Sequence, residues 1–425
     1  MKMHTAFAGS VLLLALGCHG GAHGSAVGAT TDTFRGAQRL HYPAARAPAL
    51  DWSVDSIGSI GNAFGDEQYQ FGNITPVGLA GDSAGDLYVL DTQAKHVQKY
   101  GPDGRYLASF GRQGGGPGEL EQPISLALGP GDSLWIADFS NNRFTILPQD
   151  GGDARSIRFP ENTFPMSGLV VVDDFYVVAD RVLSFNPAAQ ARPDSDGGIP
   201  VVAYGFDGTP LDSLWTAPSP KMDRVELQSA GRVMVMLSGR AFSPQLRFAA
   251  FSDGTLALSD TAEYLVALLG RDGTVRRWIQ RDPPPRATTD ADRQAERERV
   301  RAADQSGGAR IRVGGGGGAS EDQGSSNPLL EQRLAKMTFE DVIPRIANLA
   351  IDPMDRLWIG VSEDTPGEAD RIDVYDHDGH LLGELRGVPF PDVFLGRDRM
   401  GVLTRDEMDV PHIVLYRITT RPTAS

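Results

Sequence analysis

LAGDSAGDLYVLD (Leu79–Asp91) and LALGPGDSLWIAD (Leu126–Asp138) share one pattern. Each reads as a short apolar strand, a turn of Gly, Asp and Ser, a second apolar strand centred on an aromatic residue, and a closing Asp. The pattern recurs in LVVVDDFYVVAD (Leu169–Asp180), FAAFSDGTLALSD (Phe248–Asp260), LAIDPMDRLWIGV (Leu349–Val361) and VFLGRDRMGVLTRD (Val393–Asp406), which makes six copies. Tyr88 to Trp135 spans 47 residues and Trp135 to Tyr176 spans 41. Units of that period built from short strands are propeller blades.

Each copy continues with two more strands. HVQKYGPDGRYLASFG, YLVALLGRDGTVRRWI and RIDVYDHDGHLLGEL all place an Asp-Gly turn between strands, where Gly accepts positive φ without steric cost. The inner strands are almost wholly apolar because neighbouring blades cover both their faces. The sixth copy stops after its third strand, HIVLYRI. ALDWSVDSIGSIG (Ala49–Gly61), alone before the first copy, has a strand's alternation and is expected to supply the missing fourth strand, closing the ring and leaving no free edge. FGRQGGGPGEL (Phe110–Leu120) is glycine-rich like a phosphate loop, but Pro123 and the strand ISLAL follow it rather than a helix. It reads as a rim-to-axis crossover between blades.

The aligned spans, residues 50–420 apart from one insertion, resemble NHL-repeat six-bladed propellers of bacteria. The resemblance implies an all-β fold of six four-stranded blades with the ring closed by an N-terminal strand; it implies no particular function. NHL-type lyases carry zinc on axial His residues, and lactonase-type propellers carry calcium on Glu, Asn and Asp. Neither ligand set maps onto this chain residue by residue.

The chain has 425 residues and a formal charge of −15, a balance that repels nucleic acid and anionic membrane surfaces. Its single cysteine, Cys18, excludes an intramolecular disulfide. MKMH, the apolar run AFAGSVLLLAL and Gly17-Cys18 form a secretory signal too short to span a bilayer. Its end resembles the lipobox of bacterial lipoproteins, which implies acylation of Cys18 and a lipid anchor in the periplasm or outer membrane. The expected organisation is a signal over 1–18, a flexible tether over 19–48 and a propeller over 49–420.

The insertion, about 283–342, falls between blades 4 and 5. ADRQAERERVRAA reads as a solvated helix, the run Gly314–Gly318 as linker, and Leu329, Leu330, Leu334 and Met337 as a short amphipathic helix docking on the disc. Long loops of compact domains are often functional, and a lid over one mouth of the channel is the functional reading.

Gly81-Asp82-Ser83-Ala84-Gly85 matches a nucleophile elbow by letter, but a strand follows it, so a hairpin turn is expected. His377 and His380 flank a turn between outer strands, which splays them. Asp91, Asp138, Asp180 and Asp260 each end the second strand of a blade and are expected to accept backbone N–H groups at the turn. Near those turns His96, Asn142 and Arg143 form a candidate rim binding site.

No catalytic or metal-ligating set emerges, and no cofactor is expected, with calcium or zinc left open. The chain therefore reads as an exported, lipid-anchored, monomeric binding or scaffolding module for a protein, peptide or glycan ligand at the bacterial envelope. The other reading is a metal-dependent lyase or lactone hydrolase acting at the channel mouth.

Overall fold

The computed structural model describes residues 28–159, 163–164, 169–179, 181–182, 198–229, 232–305 and 328–420. Each repeat folds as the alternation dictates, into an antiparallel blade. Blade 1 comprises Leu79–Gly81, Leu87–Asp91, His96–Tyr100 and Tyr106–Phe110. Blade 2 is Pro123–Leu128, Leu134–Asp138, Arg143–Leu147 and Arg155–Arg158. Blade 3 is Leu169–Val171, Phe175–Ala179, Ile199–Gly205 and Pro210–Ala217. Blade 4 is Arg247–Ala250, Leu256–Ser259, Leu265–Leu269 and Val275–Arg281. Blade 5 is Ile346–Ile351, Leu357–Val361, Arg371–Tyr375 and Leu381–Arg386. Blade 6 takes Val393–Leu395, Arg399–Arg405 and Pro411–Thr420 from the C-terminal end of the chain and its outer strand, Trp52–Ile60, from the N-terminal end. The ring is closed as expected.

Packing follows the same logic. Six apolar clusters each span one blade-to-blade interface, the last joining blade 6 to blade 1 through Ile413, Leu415, Val89 and Tyr100. In blades 1 and 5 the aromatic at the heart of the repeat is fully buried and spends its polar atom on the turn before it. Tyr88 Oη donates to Asp82 at 2.9 Å, and Trp358 Nε1 donates to Asp352 at 2.9 Å. Burying these rings stabilises the interface only because the hydroxyl and indole N–H stay paired. The turn at Ser83 is the expected hairpin: Asp82 N–H donates to Asp86 and Gly85 N–H to Asp82, each at 3.1 Å.

Two parts of the chain depart from expectation. The first corrects the tether assigned to 19–48. Thr30–Phe34 and Ala37–Tyr42 form a hairpin, and Ala37–Tyr42 runs parallel to Val275–Arg281, which extends blade 4 to six strands. Leu40 and Tyr42 are buried there, and Tyr42 Oη donates to the Gly379 carbonyl at 3.0 Å. The cause is the bare edge of blade 4's outermost strand, whose unpaired backbone groups accept another strand. Residues 19–27, the signal and Cys18 lie outside the described residues.

The second is a hairpin, Met222–Ser229 with Arg232–Gly239, between blades 3 and 4. The insertion between blades 4 and 5 is clasped at its base by Arg286–Ala287 pairing with Val342–Ile343. It carries helix α1 (Asp290–Gln305) and helix α2 (Pro328–Ala335); the run Gly314–Gly318 lies outside the described residues. Helix α2 buries Leu330 and Leu334 and packs on Met222–Ser229, where the Gln332 amide both accepts from and donates to the Gln228 backbone at 2.8 and 3.0 Å. Arg301 of α1 grips Glu331 of α2 through two bonds of 2.9 Å. Two excursions that meet through residues 104 positions apart in the chain thus form one cap.

Candidate functional site

In a propeller the innermost strands line the axis, so their leading and trailing ends rim the two mouths of the channel. The mouths differ in chemistry. At the trailing ends, a cavity of about 450 Å³ is lined by Gly81, Ala250, Ile351, Phe394 and three carboxylates, Asp352, Asp355 and Asp392. These acids are occupied: Asp352 holds Arg356 and Trp358, Asp355 accepts from Ser252 N–H at 2.9 Å, and Asp392 accepts from Leu403 N–H at 2.7 Å. Burial pushes the Asp392 carboxyl up from its ordinary range.

At the leading ends, a cavity of about 520 Å³ lies between the disc and the cap, a size suited to small-molecule sites. Blade 4 contributes Arg247, blade 5 contributes Ile346 and Ala347 together with the loop Pro366–Glu368, and α1 contributes Glu296 and Arg299. The segment after the added hairpin contributes Arg240, Phe242 and Gln245. Ala241 N–H donates to Thr338 and Glu340 N–H to Ala241, which ties this wall to the end of the insertion.

The three arginines are not equivalent. Arg240 makes two bonds to Asp223, at 2.9 and 3.1 Å, and Thr338 adds a third donor to that carboxylate. Arg299 makes two bonds to Glu296, at 2.6 and 2.7 Å. Both are neutralised in place. Arg247 donates from Nε to the Ala347 carbonyl at 3.0 Å and pairs with no carboxylate among the described residues. Loss of hydration in this concave mouth pulls its pKa below the ordinary arginine value. An arginine still carries its proton under such a shift. It is a solvent-reached cation with no balancing carboxylate among the described residues.

The residues singled out in the sequence lie elsewhere. His96, Asn142 and Arg143 are on the same face but at blades 1 and 2, across the ring, and none lines this cavity. Arg143 donates to the Gly116 and Glu119 carbonyls at 2.7 and 3.0 Å, and Asn141 to Gly114 at 3.0 Å, so this corner clamps the crossover FGRQGGGPGEL. Asn142 takes the left-handed turn conformation, φ 49°. Burial pushes the His96 imidazole down, against the pull of Asp91.

Asp91 accepts from Gly72, Asn73, Gln93 and Ala94 N–H groups, and Asp138 from Glu121 and Gln122. Each fastens a crossover to its blade. Asp260 accepts from Trp215 Nε1 at 2.8 Å, and Asp180 lies outside the described residues. His377 faces Asp253 at 3.4 Å while His380 faces Asp376 at 3.2 Å, so the pair is splayed. Among the described residues, no group of three or more His, Cys, Asp or Glu side chains is arranged to hold a metal ion.

Sequence reading passed over Arg247, though a signal was present. In the residue just before each repeat the copies carry Gly78, Ser125, Gly168, Arg247, Asn348 and Asp392. A large cation at the leading end of an inner strand is the exception among them.

No family model matches the chain, and no curated protein matches it. Solved structures similar to it include a Bacteroides fragilis protein provisionally named as exported, with 9% identity over 90% of this chain and 100% of that one and a TM-score of 0.48. A member of the DUF4221 family from Bacteroides vulgatus has 10% identity over 88% and 99% and a TM-score of 0.47. The PQQ-bound aldose sugar dehydrogenase of Streptomyces coelicolor has 12% identity over 88% and 100% and a TM-score of 0.40. At these values the likenesses carry no activity to this chain.

Proposed function

We propose that the chain is an exported binding module, anchored through Cys18 at the bacterial envelope, whose ligand enters the capped mouth of the propeller. The observation that carries this reading is the cavity of about 520 Å³ between the disc and the cap. Two separate insertions converge to build its outer wall, and rigid scaffolds carry binding in such loops. Protein, peptide and glycan partners of the envelope are the classes to test.

Hydrogen exchange on the purified chain, with and without envelope extracts and fractionated peptides and oligosaccharides, tests the reading. Protection of α1, the Arg240–Arg247 segment and the leading end of Ile346–Ile351 is the expected result. A partner that protects only the opposite mouth, or protection nowhere on the capped face with any fraction, overturns it.

A further inference from the structure

With the capped mouth as the binding site, a reading on which the ligand class rests, the cavity's charges specify more than its shape does. Of its three arginines, two are held by carboxylates of the cap through paired bonds. Only Arg247 faces the cavity without an acidic partner among the described residues. Its Nε is committed to the Ala347 carbonyl at 3.0 Å, which fixes the plane of the guanidinium against blade 5. The two Nη atoms, with no partner among the described residues, form the free end of a planar fork. That end matches the two oxygens of a carboxylate.

The rest of the lining selects among anions. Glu368 stands in the same wall and repels a doubly charged group such as phosphate more than a singly charged one. Phe242, Ile343, Pro344, Ile346 and Pro366 give the ligand's body an apolar bed. We infer that the capped mouth takes a monocarboxylate with an apolar body, its carboxylate paired with the two Nη atoms of Arg247. Two sources offer that chemistry: a free organic acid and the C-terminus of a peptide.

Calorimetry on the full chain tests this with hexanoate, phenylacetate, their amides, inorganic phosphate, and apolar tripeptides with free or amidated C-termini. Binding of at least one carboxylate is expected, with its amide and phosphate weaker by about tenfold or more, as loss of a charge-assisted bidentate pair implies. Arg247→Gln should reproduce that loss while its thermal midpoint stays near that of the parent, and Arg247→Lys should recover part of it. Tighter binding of tripeptide acids than of the small acids assigns the site to a peptide terminus; the reverse assigns it to a metabolite-sized acid.

Equal binding of acid and amide, stronger binding of phosphate, or unaltered affinity in Arg247→Gln overturns the inference. If an uncharged ligand protects the capped face in hydrogen exchange and Arg247→Gln leaves that protection intact, the anion assignment fails while the binding site stands. If nothing protects that face, both fail.

Discussion

Between blades 4 and 5, close under the insertion, lies a buried ionic knot whose disruption is predicted from its geometry. Asp373 is fully buried; it pairs with Arg281 Nη1 at 2.5 Å and accepts from Arg371 Nε and Tyr264 Oη, each at 2.8 Å. Arg281 and Arg371 are themselves 2% and 7% exposed. Arg371 also pairs through Nη1 with Glu363, whereas for Arg281 the next carboxylate is Glu384, with one oxygen 3.7 Å from Nη2. Asp373→Asn keeps the volume and the ability to accept a bond, but strands the buried Arg281 with Glu384 as its one remaining carboxylate, while Arg371 keeps Glu363. Removing one partner of a buried pair costs about 3–5 kcal/mol, most of it the burden of the stranded charge. With an unfolding entropy of roughly 2.1 cal/mol/K per residue, that lowers the thermal midpoint by about 4–6 °C.

Calorimetric melting and urea titration read the effect, with Tyr264→Phe as comparator. That change removes one neutral donor and should cost about 1–2 kcal/mol. The double variant should fall short of the sum, because both changes act on one carboxylate. A loss below about 1 kcal/mol for Asp373→Asn, or strict additivity with Tyr264→Phe, would refute the claim that this carboxylate balances the arginines.

Other perturbations have equally definite outcomes. Asp292 in α1 accepts two bonds from Arg286, at 2.7 and 2.8 Å, and one from Thr289 N–H at 2.8 Å, which together hold its carboxyl well below its ordinary value of 3.8. Its contribution is therefore complete above that value and is lost as pH falls toward the lower folded value; exchange of α1 amides should quicken from about pH 4 downward, and Asp292→Asn should show the quickening at neutral pH. Gly81 stands where blade 1 meets blade 6, and a Cβ there would overlap the Phe394 carbonyl oxygen. Gly81→Ala should cost about 1–3 kcal/mol by overpacking, read as a lower urea midpoint; an unchanged midpoint would mean the two blades can part freely. Cys18→Ala should move the protein from the membrane to the soluble fraction and lower its mass by the acyl groups; unchanged partitioning contradicts the anchor.

The blades were legible because their determinants are local. An apolar strand, an Asp-Gly turn and an aromatic recur at fixed offsets, and Asp82 and Asp352 lie six residues from the ring atoms they satisfy. Of the cap, the two helices of the insertion were legible; the hairpin that meets them and the cavity between were not, because nothing local marks them. Arg232–Gly239 is exposed along most of its length, so no buried face prints a repeat in RVMVMLSG. Thr30–Phe34 is polar and finds its place only through Ala37–Tyr42, which pairs with a strand more than two hundred residues later. Arg247 stands out in the sequence only as the one large cation just before a repeat, and its place in a cavity comes from the cap that stands over it.

By itself, then, the amino-acid order determined the number of blades, their four-strand plan and the borrowed strand that closes the ring. Each is set by periodicity and by the cost of an open edge. Only the tertiary structure decided which mouth is covered, that residues 30–42 join blade 4, and which arginine of the cavity has no carboxylate partner among the described residues. Those outcomes turn on pairing between groups such as Tyr264 and Asp373, 109 residues apart, or Gln228 and Gln332, 104 apart. Electrostatic balance is a property of distance in space, which spacing along the chain does not encode.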